Sequence, residues 1–155
     1  MARDHHYRLD LAWTGNLGEG TSGYRSYSRD HEISAEPGIL PGTADPFFRG
    51  VPDRWNPEQL FIASLAQCHL LTYLWLCVGA KVVVTGYEDS PDGVMAEEPD
   101  GSGRFTRVTL RPRVTIAEGS DPEVALALHE KVADYCFIAR SDSIPVHHEA
   151  TVVVA

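Results

Sequence analysis

The sequence is short of cysteine, short of positive charge and, over one long stretch, without charge altogether. Three cysteines in 155 residues, none of them in a Cys-x-x-Cys pair, exclude a disulfide-stapled scaffold and argue against a thioredoxin-type exchange motif. Thirteen Lys and Arg stand against 22 Asp and Glu, a net charge of −9. There is no basic block, so long-range repulsion disfavours nucleic acid and anionic membrane surfaces as partners. The opening residues, MARDHHYRLD, lack the apolar core of a secretory signal. A cytoplasmic protein is expected, in a compartment that keeps thiols reduced. From Leu60 to Val78 there is no Asp, Glu, Lys or Arg.

What is present reads as one domain, residues 1–155, of ordinary globular composition. Tyr7 to Trp13 alternates apolar and polar residues as a strand with one wet face. Tyr24 to Ser34 alternates again across the turn-rich Asn16–Gly23, and the two segments read as a hairpin. Glu36 to Pro52, rich in Pro and Gly, reads as an ordered loop. Further strands are expected over Lys81–Tyr87, near Val94 and Met95, over Arg104–Ile116 and over His148–Val154. Pro112 weakens the third of these as a central strand. A second helix begins at Asp121-Pro122-Glu123, with a stripe of Val124, Leu128, Val132 and Tyr135, and ends around Cys136. Strands, helix, strands, helix, strand is an α+β order.

The charge-free run is the centre of the chain. Asn56 is a good N-cap, Pro57 suits the first helical position and Gln59 completes a capping box. Gly79 suits the far end. Such a helix is long enough to raise the question of a membrane span. Gln67, His69 and Thr72 interrupt it, and the better reading is a helix buried on nearly all faces. One small domain can hardly cover that much surface, so a second copy of the chain is expected to cover the rest.

Cys68 and Cys77 lie on this helix, roughly 13 Å apart by helical rise, too far for a disulfide. Cys136 is then the remaining thiol of the chain that could partner Cys68. A free cysteine in an apolar helix is ordinarily a small core residue with a raised pKa. Cys77 is read that way, and Cys68 stays open between core and catalysis. The helix offers Cys68 no positive charge, so any activating arginine must come from Arg25, Arg29, Arg49 or Arg54 upstream.

Asn56-Pro57-Glu58-Gln59-Leu60-Phe61, then Ala63, Ala66 and Cys68, closely resembles the central helix of the OsmC/Ohr family, the osmotically inducible protein C and organic hydroperoxide resistance proteins. The spacing of Glu58 to Cys68 is the specific part. Cys136 after the second helix, Ser141 and Pro145-Val146 extend the match over nearly the whole chain. The run Cys-Phe-Ile-Ala-Arg-Ser resembles an OsmC-like branch more than a typical organic hydroperoxide resistance protein. The resemblance implies an OsmC-like fold, with antiparallel sheets wrapped around two long central helices of an intertwined homodimer. It also implies a cysteine-based peroxidase of oxidative-stress defence that acts on organic hydroperoxides and more weakly on hydrogen peroxide. Cys68 would be the peroxidatic thiol and Cys136 the resolving one. A dithiol reductant, of lipoyl type in related proteins, would restore both, with no cofactor and no metal.

The resemblance further implies an arginine and a glutamate. Glu58 matches the glutamate, and Arg49 is the best match for the arginine, with Arg54 as the alternative. A guanidinium beside Cys68 would lower its pKa and bind the peroxide, and the carboxylate would hold the guanidinium fork. Ten residues of helix span roughly 15 Å, so Glu58 and the arginine are expected to serve Cys68 of the partner chain.

His69 diverges from Cys68 by about 100° around the helix and is read as a satisfied buried or interfacial histidine. His129 is a candidate polar partner in the same region. Neighbours in a strand point to opposite faces, so neither His5-His6 nor His147-His148 makes a metal site by itself. Trp55 and Trp75 are read as interface or pocket wall. The rival function is a non-catalytic or redox-sensing dimer of the same fold that binds a small apolar ligand at the subunit interface.

Overall fold

The computed structural model describes residues 3–155. The chain divides into two compact units, Met1–Phe61 and Ile62–Ala155. In the first, β1 (Asp10–Trp13), β2 (His31–Ala35) and β3 (Gly38–Gly42) form an antiparallel sheet in that order. The expected hairpin is the pairing of β1 with β2, with Leu11 opposite Ile33. It is shorter than its pattern: β1 begins at Asp10 and all four of its residues are exposed, so no dry face exists within the chain. Tyr24 to Asp30 is not strand. The Arg29 guanidinium lies 4.4 and 4.0 Å over the Tyr24 and Tyr27 rings and donates to both of their carbonyls, which curls the segment around one cation.

The segment expected as a loop, 36–52, holds β3 and a 3-10 turn at Pro46–Phe48. Ala35 faces Gly38 across a two-residue turn, and Pro41 is tolerated because β3 is an edge strand. Asp45 caps the 3-10 turn by accepting from the Phe47 amide at 2.7 Å. Arg49 closes it in the left-handed conformation at φ 69°, a placement uncommon for a residue with a side chain. Gly50 follows, with no room for a Cβ, which would sit 1.5 Å from the Ala44 carbonyl oxygen.

α1 (Pro57–Gly79) begins where its capping box puts it. Asn56 Oδ1 accepts from the Gln59 amide at 2.8 Å, and Gln59 Oε1 accepts from the Asn56 amide at 3.2 Å. Its end corrects the sequence reading. Gly79 is the last helical residue, and the left-handed position belongs to Lys81 at φ 60°. The Val82 amide reaches the Cys77 carbonyl at 3.0 Å and the Lys81 amide reaches Val78 at 3.3 Å, the Schellman pattern. α1 is long and apolar enough to cross a membrane by length and composition. Within a single chain one face of it is buried, Leu65, His69, Tyr73 and Cys77, one residue per turn, whereas Leu71, Trp75 and Val78 are exposed.

In the second unit two three-stranded sheets flank this buried stripe. One has the order β4 (Val84–Glu88), β7 (Arg113–Ile116), β9 (Thr151–Val154), the other β5 (Asp92–Glu97), β6 (Gly103–Leu110), β8 (Val146–His148), and both are mixed and not antiparallel as expected, because β9 joins β7 and β8 joins β6 in parallel. The single strands expected over Arg104–Ile116 and His148–Val154 are therefore each split between two sheets. Both breaks occur at one level, where the Leu110 carbonyl accepts from Glu149 and the Pro112 carbonyl from Thr151. Pro112 has no N–H to continue a ladder, so the chain changes sheet there. α2 (Pro122–Val132) starts on an Asp121 cap that accepts from the Glu123 and Val124 amides. Its buried face is Ala125, Leu128, His129 and Val132, and Val124 and Tyr135 are exposed. It stops at Val132, four residues short of the expected end. The turn that follows delivers Cys136 to the start of a short helix, α3 (Phe137–Arg140). Tyr73, Cys77, Val114, Ile116, Ala125, Leu128, Val132 and Cys136 form one core cluster.

Candidate active site

Two thiols meet in the second unit. Cys68 flanks the buried stripe of α1 and is half-buried, and Cys136 is 2% exposed. The Cys136 amide bonds to the Val132 carbonyl at 2.8 Å, so the end of α2 sets the thiol's place. Burial pushes the Cys136 thiol well above the ordinary range, and its hydrogen bond to the Cys68 sulfur adds to the shift. The Ala139 and Ile138 amides pull the other way, without the geometry of a capping hydrogen bond. Ser141 donates to the Phe137 carbonyl at 2.7 Å and braces α3 from behind. Cys77 is 2% exposed, with a thiol pKa raised by burial, as its reading as core requires.

Three imidazoles stand beside the thiols. His69 and His129 are joined by an Nε2···Nδ1 hydrogen bond of 2.9 Å and are 5% and 1% exposed. Both expectations for these residues hold: His69 is buried and satisfied, and His129 is its polar partner. Tyr73 stacks on His129 with ring centroids 3.9 Å apart and donates to the Ala125 carbonyl at 2.9 Å. Burial, then repulsion from His148, lowers the His69 pKa to about 4. Burial, then His69 and His148, lowers that of His129 to about 3. Both rings are neutral at pH 7. His148 is the residue that sequence reasoning missed. Its neighbour His147 is exposed while His148 turns inward, as strand alternation requires. Its ring lies 5.9 Å from that of His69 and 5.8 Å from that of His129. Only the parallel pairing of β8 with β6, which sets His148 opposite Leu110, brings it there, and no local signal announces that pairing.

Glu58, Arg49 and Arg54 belong to the first unit. Glu58 opens α1, with one carboxylate oxygen buried and unpartnered among the described residues. Arg54 is engaged locally, its Nε 3.8 Å from Asp30, whereas Arg49 is exposed.

Comparison with known proteins accords with this arrangement. The family model for OsmC-like proteins matches residues 50–149. Among solved structures the chain is similar to an OsmC-like protein of unknown function from Vibrio cholerae, at 26% identity and a TM-score of 0.84, over 96% of this chain and all of that one. It shares its fold with an organic hydroperoxide resistance protein from Elizabethkingia anophelis, at 18% identity and a TM-score of 0.68, over 99% of this chain and all of that one. It also shares it with one from Legionella pneumophila, at 18% identity and a TM-score of 0.66, over 97% and all. No curated protein matches by sequence. With its family pattern spanning both cysteines and the fold matched from end to end, the chain belongs to the OsmC/Ohr family.

Proposed function

We propose that the protein is a two-cysteine peroxidase for organic hydroperoxides. The observation that carries the reading is that one core brings Cys68 and Cys136 together, one thiol half-buried and the other buried. A redox role is common ground for a family whose structural relatives include organic hydroperoxide resistance proteins. In the first step the Cys68 thiolate attacks the distal peroxide oxygen. The O–O bond breaks, the alkoxide takes a proton and leaves as alcohol, and Cys68 becomes a sulfenic acid. Cys136 then displaces the hydroxyl as water and forms the disulfide. A dithiol reductant, itself oxidised to a disulfide, returns both thiols.

Arg49 and Glu58 are assigned to the activation of Cys68 across a homodimer, each subunit serving its partner's thiol. The exposed apolar face of α1, with Leu71, Trp75 and Val78, supports a second copy packed there. The orphaned Glu58 oxygen supports a guanidinium partner, because a buried carboxylate without one is costly. The engagement of Arg54 with Asp30 favours Arg49. The two units are taken as one OsmC-like domain, acting in the cytoplasm.

The test is to treat reduced protein with equimolar cumene hydroperoxide and map the thiols by mass spectrometry. A rapid Cys68–Cys136 disulfide is expected, replaced by Cys68 sulfenic acid in Cys136→Ser and absent in Cys68→Ser. Thiols that stay reduced over an hour would overturn the reading. A second reading rests on a groove of about 420 Å³ walled by Leu74, Cys77, Val78 and Lys81 to Val84, a size suited to a small ligand with a largely apolar body. An unsubstituted protein that consumes no more peroxide than Cys68→Ser would favour it.

A further inference from the structure

The pairing of Cys68 with Cys136 proposed above, on which this inference rests, tolerates little displacement. The Cα atoms of a disulfide stand about 4.4 to 6.8 Å apart, with the Cβ vectors turned toward each other. Cys68 meets that demand from the middle of α1, whose backbone is fixed by its own hydrogen bonds. Cys136 has no such support. It is extended, with φ −70° and ψ 109°, between the end of α2 and the start of α3. Ala133, Asp134 and Tyr135 ahead of it are all exposed. Burial therefore holds the thiol but not the turn that carries it.

Three sets of contacts hold that turn. On its N-terminal side the Asp134 amide bonds to the Lys131 carbonyl at 3.2 Å and the Tyr135 amide to that of Val132 at 3.0 Å, beside the Cys136 bond already described. These amides use the open carbonyls that end α2. Toward α1, the Tyr135 ring meets the Trp75 ring edge-on, with centroids 5.3 Å apart. Trp75 lies two helical turns after Cys68 and about 20° from it around the helix. The turn thus rests on the side of α1 that carries the thiol it has to reach. On the C-terminal side, Arg140 takes two carbonyls of the turn. Its amide bonds to that of Cys136 at 3.0 Å and its guanidinium Nη1 to that of Asp134 at 2.6 Å. The ring so closed runs from Asp134 to Arg140 and encloses Cys136. The guanidinium contact has a charged donor and is the one that a side-chain substitution can remove.

We propose that Arg140 is a positioning residue for the resolving thiol: its guanidinium closes the turn from Asp134 and holds Cys136 within bonding reach of Cys68. It acts through the backbone and not on the sulfur. Burial, Cys68 and the Ala139 and Ile138 amides set the state of the Cys136 thiol, so the role of Arg140 is one of place and not of charge. With the Nη1 donor gone, the Asp134 carbonyl turns to water and the exposed turn gains other backbone states. A smaller share of the dithiol then has Cys136 in reach, and the effective concentration of one thiol toward the other falls by that share.

The experiment needs no peroxide. The unsubstituted protein, Arg140→Met and Arg140→Lys are equilibrated at pH 7 with mixtures of reduced and oxidised dithiothreitol. Each is quenched in acid and alkylated, and the Cys68–Cys136 disulfide is measured by mass spectrometry. The two thiols lose two electrons and two protons to oxidised dithiothreitol, which becomes the dithiol as the protein S–S bond forms. Methionine keeps an apolar stem and deletes the donor, and lysine restores a charged donor. Arg140→Met is expected to lower the equilibrium constant for disulfide formation about tenfold, and Arg140→Lys to recover most of the loss. The constant is a ratio of two folded forms, so a loss of stability equal in both would leave it unmoved. A constant in Arg140→Met within about threefold of the unsubstituted protein, or an equal loss in Arg140→Lys, would overturn the proposal. So would an unsubstituted protein that forms no Cys68–Cys136 disulfide at any ratio. A protein that fails to consume hydroperoxide yet shows this dependence loses the peroxidase reading and keeps this one.

Discussion

Acidifying the protein from pH 7 to pH 5 should destabilise its fold by about 3 to 4 kcal/mol through His69 and His129 alone. In the unfolded chain both titrate near 6.5. In the folded chain burial holds them at about 4 and about 3. A histidine with a depressed folded pKa favours folding fully above 6.5, and that contribution is lost as pH falls toward the folded value. Across that window the unfolded chain carries one more proton per histidine, and stability falls by up to about 1.4 kcal/mol per pH unit for each. Between pH 7 and 5 the integral is about 2 kcal/mol per ring. Against a total stability of about 5–15 kcal/mol, that is a large fraction. Asp89 works in the opposite direction, because burial raises its carboxyl pKa and acid then favours the fold. The comparison must therefore be made against a variant and not against pH alone. Urea unfolding at pH 7 and pH 5, at fixed protein concentration, would be measured for the natural chain and for His69→Leu/His129→Leu. The double variant should lose about 3 to 4 kcal/mol less over the interval. Equal losses in the two proteins would mean that the imidazoles are not held neutral in the core, and the reasoning would fail.

Three further outcomes are expected. Asn56→Ala removes the side-chain arm of the α1 capping box, the Oδ1 that accepts from the Gln59 amide, and should cost about 1 kcal/mol in urea unfolding. Lys81→Gly relieves a side chain at φ 60° and should raise stability by up to about 1 kcal/mol, read as a higher melting temperature. On the peroxidase reading proposed above, Glu58→Gln should leave the circular dichroism spectrum unchanged and slow cumene hydroperoxide turnover by up to about 10²-fold, because the guanidinium assigned to it would lose its orientation.

Much of the local structure was written in the sequence because it depends on neighbours along the chain. The capping box at Asn56 and Gln59, Pro57 after it, and Asp121-Pro122 at the start of α2 are contacts between residues two or three apart, and each appears where those residues predict it. The family pattern from Asn56 to Cys68 was legible for the same reason. Other features turned on residues far apart. Periodicity could not show that Arg104–Ile116 is split at Pro112, because the split depends on where Glu149 and Thr151 pair. Nor could it show that Tyr24–Asp30 folds around the Arg29 side chain instead of extending.

The site divides in the same way. The cysteines, the helix that carries Cys68 and the glutamate at its start were set by the sequence itself, since identity and helical spacing need no third dimension. The meeting of Cys68 with Cys136, and of His69, His129 and His148 around one small cavity, was decided by tertiary structure. Those residues arrive from α1, α2, the start of α3 and β8, and only burial in a common core makes their neutral imidazoles and protonated thiol what they are.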